Sequence, residues 1–366
     1  MPTRFWLALL MVAAPVAAQD VPAEDPPEAG ETVSVKYGAD FLLSGVGARA
    51  LGMGGAFVAH ADDVTAGYWN VAGLGALPQA EASYMHAERF DGAVSFDYAA
   101  VAYPLTETST VAVSFVRSAV DDIANTLDAY DPETGLPRPD AADYITYFSA
   151  ADNALFLSYA RRVSGALAVG ASAKVIQRGI GDFADAWGYS LDVGAQFDVG
   201  GVALGLVVQD ATRLVQTWSV DEARFAQLEG DERPVGLTEV TDPVVRAGAA
   251  TTTALSGDLA LTLAADVDVA FDGYRANALN TGDVSYRPRG GAEVVYRDVL
   301  AFRAGVSDVT TNEDYGTQVT PSAGVGVQLG AFAVDYAFGD FGGLTGELGQ
   351  SHRVSVAYRF GRSRGE

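Results

Sequence analysis

Hydrophobic and polar residues alternate strictly along many stretches of this chain. In residues 189–199, "YSLDVGAQFDV", every second residue is apolar, and Asp192 and Asp198 fall on the other set. Residues 259–271 and the closing stretch 352–360 repeat this period of two. Such a period places alternate side chains on opposite faces of a β-strand. The pattern therefore predicts a chain that is rich in strands with one apolar face.

Counting these runs predicts 14 strands, each of the length expected for a strand that spans a membrane. An even number of strands is typical of closed antiparallel barrels in bacterial outer membranes. The predicted fold class is therefore all-β, as a 14-stranded antiparallel transmembrane β-barrel. The predicted strands cover residues 80–89, 92–104, 109–119, 153–163, 167–180, 187–199, 202–212, 243–255, 259–271, 286–297, 300–308, 318–329, 332–340 and 351–360.

The connections between the predicted strands are sorted by length. The turns after even-numbered strands are short, whereas those after odd-numbered strands are longer, above all 120–152 and 213–242. The first connection, near "RFDG", is a short exception. Short turns on one rim and long loops on the other are the arrangement of outer-membrane barrels, with the short turns facing the periplasm. A soluble β-sandwich has no reason to sort its loops in this way, so we expect an outer-membrane location in a Gram-negative bacterium.

The alternation also assigns the two faces of the wall. The apolar set is expected to contact outer-membrane lipid, and the polar set to face the lumen. Charges of both signs occur in the polar set, so they are expected to pair with one another or to solvate the interior. The predicted lumen-facing charges are Lys174, Arg178, Asp192, Asp198, Asp266, Asp268, Glu293, Arg303, Asp335, Arg353 and Arg359.

Composition adds a compartment and excludes several functions. Residues 1–18 have the pattern of a secretory signal peptide, with cleavage expected after Ala18 and a linker at 19–37. The chain has no cysteine, which excludes disulfides and thiolate metal sites. Its net charge of −24 argues against nucleic acid as a partner.

Little in the sequence points to catalysis or to a cofactor. The three histidines, His60, His86 and His352, do not stand at metal-ligand spacing from one another. The adjacent acids Asp62 and Asp63 lack the supporting ligand series of a calcium loop. A Gly-x-Ser-x-Gly nucleophile motif is also missing. We therefore predict a protein that is not an enzyme and that has no metal site and no cofactor.

Residues 38–79 precede the first predicted strand and do not alternate. Their centre reads "GARALGMGGAFVAHADDVTAGYWNVAGLGAL". This stretch resembles the N-terminal signature of PorV/PorQ-type proteins within the FadL-like superfamily. The matching positions are Ala48, Arg49, Ala50, Leu51, Gly52, Met53, Gly54, Gly55, Ala56, Phe57, Val58, Ala59, Asp62, Asp63, Tyr68, Trp69, Asn70, Ala72, Gly73 and Leu74. Val71 stands where the family usually has proline.

The resemblance implies that residues 38–79 form a hatch folded inside a barrel of residues 80–360, followed by a tail at 361–366. A barrel of this size has a lumen that its own wall side chains do not fill, which agrees with a plug. A periplasmic N-terminal extension is the alternative. The residues expected to control any gating are Arg49, Gly52, Gly54, Gly55, Asp62, Asp63, Trp69 and Asn70.

Two functions follow from the resemblance. PorV/PorQ-type proteins take part in type IX protein secretion, which implies docking of secreted proteins or secretion-machine subunits. The alternative is a FadL-like channel that takes up hydrophobic small molecules through a kinked wall. Pro288, with Gly290 and Gly291, and Pro321 are candidate kinks, because proline cannot donate to a strand ladder.

Overall fold

The computed structural model describes residues 27–35, 38–90, 92–131, 134, 136–225, 233–271, 279–312, 316–340 and 350–364. The predicted signal peptide at 1–18 lies outside the described residues, as does part of the predicted linker. No helix in the described ranges is long and apolar enough to cross a membrane.

The described residues form one sheet of 18 strand segments. Their bounds are β1 Thr32–Ser34, β2 Ala80–Arg89, β3 Val94–Pro104, β4 Ser109–Asn125, β5 Thr146–Arg162, β6 Leu167–Ile180, β7 Ala184–Val199, β8 Val202–Gln209, β9 Leu214–Val220, β10 Thr238–Thr241, β11 Val244–Ser256, β12 Leu259–Ala270, β13 Leu279–Thr281, β14 Val284–Tyr296, β15 Leu300–Asn312, β16 Gly316–Leu329, β17 Phe332–Asp340 and β18 Gln350–Phe360.

The sheet closes on itself because β18 pairs with β2 in antiparallel register. Both β8 and β9 pair with β7, so they are two halves of one barrel strand. Likewise β10 and β11 continue one another, because they pair with β9 and β8 respectively. The short strand β1 pairs with β10, and the short strand β13 pairs with β14. Neither adds a further strand to the barrel wall. The result is a closed 14-stranded antiparallel barrel, which confirms the predicted fold class.

The strands reach further into the long connections than the sequence pattern predicted. Strand β4 runs to Asn125 and β5 begins at Thr146, so the loop predicted at 120–152 is much shorter. The cause is a β-bulge between Val120 and Ile123, where Asp122 has a φ of 57°. A bulge adds a residue to one strand and reverses the alternation beyond it. The run of alternating residues therefore ends before the strand does.

The loop predicted at 213–242 also contains wall strands, namely β9 and β10. The break that hides them lies at Asp210 and Arg213, which both have positive φ. On the outer face the apolar side chains are exposed, as at Tyr189 and Leu191, while Ser190 between them is buried. This inside-out pattern matches the faces assigned from the alternation.

Residues 38–79, here called the N-terminal segment, contain four short helices. They are 3₁₀ turns at Asp40–Ser44 and Val71–Ala76 and α-helices at Ala48–Gly52 and Ala66–Trp69. The helix Ala48–Gly52 lies against β15 to β18, whereas the turn Val71–Ala76 lies against β4 to β7. The segment thus contacts wall strands that stand apart in the sheet order.

Candidate functional site

Arg49 is the centre of a charged cluster that joins the N-terminal segment to the wall. Its Nη1 donates to Asp62 Oδ1 at 2.5 Å and to Asp63 Oδ2 at 3.3 Å. Its Nε and Nη2 each donate to a carboxylate oxygen of Glu293 on β14, at 3.3 Å. His60 Nε2 lies 2.9 Å from Nη2. One guanidinium therefore links both acids of the segment to a wall strand more than 200 residues away in the chain.

The pKa values of this cluster favour its charged form. Burial lowers the pKa of Arg49, but the carboxylates of Asp62, Glu293 and Asp63 raise it well above its ordinary value overall. Burial raises the pKa of Asp62, yet the charges of Arg49 and His60 lower it overall. Such paired charges keep both partners ionised through the neutral range.

Asp62 and Asp63 both bind Arg49 of the same segment. Asp63 Oδ1 also accepts from the backbone nitrogen of Thr65 at 2.9 Å. That bond makes Asp63 the acceptor of a tight turn. Within the described ranges, no cluster of three His, Asp or Glu side chains is arranged to hold a metal ion.

Trp69 and Asn70 hold the middle of the segment together. Trp69 is 3% exposed, and its Nε1 donates to the carbonyl of Val46 at 2.9 Å. Asn70 is 1% exposed, and its Nδ2 donates to Val58 O at 2.9 Å and to Ala195 O of β7 at 3.0 Å. Its Oδ1 accepts from Ala72 N at 3.2 Å. Asn70 thus ties two parts of the segment and one wall strand through a single buried amide.

We expect Asn70→Ala to loosen the segment from β7. The change leaves the carbonyls of Val58 and Ala195 without this donor, which costs about 1–3 kcal/mol for buried groups. Single-channel conductance in a planar bilayer is expected to rise and to fluctuate more. Asn125→Ala, at an exposed strand end, is the matched control, and equal conductance in the two variants would count against a gating role for Asn70.

A wall carboxylate binds backbone nitrogens of the segment directly. Asp266 Oδ2 on β12 accepts from Phe57 N at 2.6 Å and from Val58 N at 2.8 Å. On the facing side, Gln196 Nε2 of β7 donates to Val58 O and to Ala61 O, both at 3.1 Å. Residues 57–61 are therefore fixed between two wall strands by hydrogen bonds to their backbone.

Glycines on the inner face of the wall allow the segment to approach closely. A Cβ atom at Gly305 would overlap the backbone of Met53 and Gly54, and one at Gly205 would overlap Val58. Gly291 has the same relation to Met53. Within the segment, Gly54 has a φ of 68° and faces Val306 at backbone contact, so glycine is required there for both reasons. The other wall glycines in contact with the segment are Gly170, Gly194, Gly248 and Gly324.

Five of the predicted lumen-facing charges pair with one another. Lys174 Nζ lies 2.6 Å from Asp210 and 3.4 Å from Asp192. Arg303 bridges Glu293 and Asp335, at 2.6 Å each. These two groups stand on separate parts of the wall, so they form local clusters and do not cross the lumen as one network.

Other predicted lumen-facing charges pair with residues outside the predicted set or are buried. Asp268 binds Arg289 at 2.5 Å, and Arg359 binds Glu81 at 2.8 Å. Arg178 binds Asp152 at 2.7 Å. Its Nη1 donates to Gly38 O at 3.1 Å. Arg353 is buried at 6% exposure.

Among the predicted lumen-facing charges, Asp198 stands at the rim of the wall. Its carboxylate is exposed and accepts from Gly201 N at 3.2 Å in the turn after β7. The residue lies one position before the end of β7. At the rim an inward-pointing position opens onto solvent, so alternation alone does not place its side chain in the lumen.

Three of the cavities in the described part of the chain border the N-terminal segment. The long-loop cavity, of about 100 Å³, is lined by apolar side chains and by six charged ones. Its lining includes Ala39, Leu43, Leu214, Val244, Arg246 and Phe271. The middle cavity, of about 60 Å³, shares Leu43 and Arg246 with it and reaches Trp69, Arg289 and Pro321. The short-turn cavity, of about 610 Å³, contains the Arg49 cluster and ends at turn residues such as Asp298 and Gly330.

The wall beside the middle cavity has an incomplete ladder. Strands β14 and β15 pair only between the short turn and the Gly290–Val306 pair. Beyond that point β14 pairs with β13 from Tyr286 onwards, which leaves 287–289 without a described register partner on this edge. Pro288 lies in this gap, and Pro321 lies opposite Val306 on the next strand. Pro288 therefore stands at a gap in the ladder, whereas Pro321 keeps a register partner.

Several groups of the site were not predicted from the sequence. Glu81, Arg246 and Arg289 are buried charges on inward positions, and the alternation that identified their neighbours applies to them as well. Asp210 is also buried, but it follows the end of β8, where the alternation gives no signal. The wall glycines carry a weaker signal, since glycine within a strand often marks a close backbone approach. Arg364 in the predicted tail gave no signal, yet its Nη1 donates to Gly75 O at 2.8 Å.

Comparison with solved structures identifies proteins of the same fold. The toluene transporter TbuX of Ralstonia pickettii matches over 88% of this chain and all of its own, with 13% identity and a TM-score of 0.55. The monoaromatic hydrocarbon channel CymD matches over 87% of this chain and 99% of its own, with 15% identity and a TM-score of 0.56.

The toluene transporter TodX of Pseudomonas putida matches over 86% of this chain and 97% of its own, with 13% identity and a TM-score of 0.55. No protein-family profile matches the sequence, and a search of curated proteins gives no match either. At these identities the likeness is one of fold, so this chain shares the closed-barrel architecture of outer-membrane hydrocarbon channels.

Proposed function

We propose that this protein is a non-enzymatic outer-membrane channel for hydrophobic small molecules, in which the N-terminal segment is the hatch. The observation that carries the proposal is the path formed by the two adjoining cavities. They lead from the long-loop rim, past Leu43 and Arg246, to residues 287–289, which have no described partner on the β15 side of β14. The fold shared with hydrocarbon transporters supports the same function.

The apolar part of the long-loop cavity suits small apolar molecules. Leu43, Leu214, Val244 and Phe271 supply apolar surface, while Arg246 and Asp268 are among the charged side chains that line the same cavity. A cavity of about 100 Å³ is of the same order as the roughly 150 Å³ apolar cavity that holds a benzene molecule. The substrate class proposed is therefore single-ring or similarly slender hydrocarbons, with lateral exit through the wall between β14 and β15.

The segment closes the direct route through the lumen. Its hydrogen bonds to Asp266, Gln196 and Glu293 fix it to strands on different sides of the barrel. Beyond it lies the short-turn cavity, where the charged Arg49 cluster offers a poor environment for an apolar molecule. A hydrocarbon is therefore expected to leave sideways before it reaches that cavity, unless the segment moves.

The docking hypothesis of type IX secretion depends on the N-terminal motif alone and stays a prediction. The three structural neighbours are described as transporters or channels for hydrocarbons, which favours the transport alternative. We therefore place transport first. Secreted proteins or secretion-machine subunits that co-purify with the extracted barrel would reverse that order.

A reversible crosslink tests whether the segment must move. The chain has no cysteine, so Gly52→Cys with Gly324→Cys introduces a single pair. A Cβ atom at either glycine would lie 3.2 Å from the Cα atom of the other, which brings two thiols within reach of a disulfide after a small shift. We expect the oxidised pair to keep lateral passage of labelled toluene into host cells that lack such a channel, while suppressing passage of ions.

The single-cysteine variants and the reduced pair are the controls. If oxidation abolishes toluene entry and reduction restores it, the hydrocarbon passes the segment and the lateral route is wrong. If the wild-type protein raises toluene entry no more than an empty vector does, the channel proposal itself fails.

A further inference from the structure

A row of polar side chains crosses the outer, otherwise apolar face of the wall. The row consists of one residue from each of five neighbouring strands, all directly opposed in register, and we call it the polar row. Its members are His86, Asp97, Arg117, Asn153 and Gln177. All five alternate with buried residues, such as Met85 and Phe96, and therefore point away from the lumen.

The members of the polar row bind one another. His86 Nδ1 lies 2.9 Å from Asp97 Oδ1, which also accepts from Tyr84 Oη at 2.6 Å. Arg117 Nη1 donates to Asn153 Oδ1 at 3.1 Å, and Asn153 Nδ2 donates to Gln177 Oε1 at 2.7 Å. The side chains nevertheless stay accessible, at 44% for His86 and 31% for Asp97. Their polar groups therefore meet whatever surrounds the barrel at this height.

The polar row limits the height of the apolar band that lies between it and the short turns. A strand tilted by about 40° gains roughly 2.5 Å of height per residue. Asp97 is seven residues from the short-turn end of β3 at Pro104, and Arg117 is eight residues from Ser109 at the start of β4. The apolar band on this side is therefore only about 15–20 Å tall, on this geometry.

The opposite side of the barrel carries a taller band. On β14 the outward-facing Tyr286 and Tyr296 are ten residues apart, with Pro288, Gly290, Ala292 and Val294 between them on the same face. That spacing corresponds to about 25 Å, the usual apolar height of an outer-membrane barrel, and tyrosines at both ends are typical of its interfaces. Tilting the barrel shifts the two bands but does not make their heights equal.

We propose that the barrel thins the membrane along β2 to β4, so that lipid headgroups descend to the polar row. The rim is low at the same place, because β2 and β3 have only 10 and 11 residues, against 17 in each of β4 and β5. A charge on the lipid-facing wall is unfavourable at the midplane and tolerated at the interface. Headgroups supply the ion and hydrogen-bond partners that the exposed sides of Asp97 and Arg117 require.

This proposal rests on the barrel lying in a membrane but not on what passes through it. The test is refolding into phosphatidylcholine vesicles of short (dimyristoleoyl), medium (dioleoyl) and long (dierucoyl) chains, with the folded fraction measured by heat-modifiable gel mobility. The wild-type protein is expected to fold best in the short-chain vesicles. The variant His86→Leu/Asp97→Leu/Arg117→Leu is expected to shift the optimum to the medium chains, because its apolar band is taller.

The matched control is Asp258→Leu/Arg297→Leu, which removes an exposed ion pair at the short-turn rim and is expected to keep the short-chain optimum. An identical chain-length optimum in the wild-type protein and the leucine variant would overturn the proposal. The proposal would also be overturned if a second copy of the protein covers the polar row. Native mass spectrometry would then show a dimer, and His86 would be protected from diethylpyrocarbonate. If the triple variant folds in none of the vesicles, the chain-length optimum of Arg117→Leu is compared with that of the wild-type protein instead. A shift towards the medium chains supports the proposal, and an unchanged optimum overturns it.

Discussion

Gly305→Ala is expected to open the lumen. A Cβ atom at this position would fall inside the backbone of Met53 and Gly54, where no flexible side chain can give way. Overpacking of this kind typically costs about 1–3 kcal/mol. The barrel keeps its ladder on both sides of Gly305, which pairs with Gly291 and Ser322. The cost therefore falls on the docked state of the N-terminal segment.

A cost of about 1–3 kcal/mol changes a two-state population by about 5-fold to 150-fold, so the open fraction is expected to rise by a factor in that range. Single-channel conductance in planar bilayers measures that change, and protease cleavage within 38–79 gives a second readout. Gly165→Ala is the matched control, because a Cβ atom at this turn glycine meets nothing within 4 Å. A Gly305→Ala variant that conducts like Gly165→Ala would mean that the segment adapts without leaving the wall.

The sequence predicted the strands of the barrel wall better than the contacts between the wall and the N-terminal segment. Alternation depends on one strand at a time, and the lipid outside and the polar lumen inside impose it on every strand. It therefore located the strand around Asp192 within a few residues. The alternation ends at Asp122, because a bulge reverses the inside-outside order of the residues that follow. At Asp198 the alternation does not distinguish lumen from exterior, because the rim has solvent on both faces.

The contacts of the N-terminal segment depend on pairs of residues far apart in the chain, and no local pattern specifies them. Phe57 meets Asp266, and Gly54 meets Val306, only because the barrel closes around them. The motif pointed to Arg49 and Asn70 as important residues, but not to their partners. Arg49 binds the two acids of its own segment as well as the wall, whereas Asn70 binds only backbone oxygens of Val58 and Ala195 and the nitrogen of Ala72.

Arg49→Met is expected to release the segment from β14 and to destabilise it. The change leaves Asp62 and Asp63 adjacent without their shared cation, and Glu293 with Arg303 alone. Removing one partner of a fully buried pair costs about 3–5 kcal/mol. Here the cost is expected to be about 1–3 kcal/mol, since the Asp62 side chain is 47% exposed and Glu293 keeps a partner.

We expect a higher channel conductance. We also expect the segment to be released at a lower denaturant concentration, as measured by the fluorescence of tryptophans such as the buried Trp69. Arg297→Met removes an exposed arginine paired with Asp258 at 3.2 Å, so it is the control for loss of one positive charge. Adding Asp62→Asn to Arg49→Met relieves the repulsion between neighbouring acids and is expected to restore part of the closed state. No restoration would show that Arg49 acts through its bonds to Glu293, and conductance equal to that of Arg297→Met would show that the cluster does not hold the segment at all.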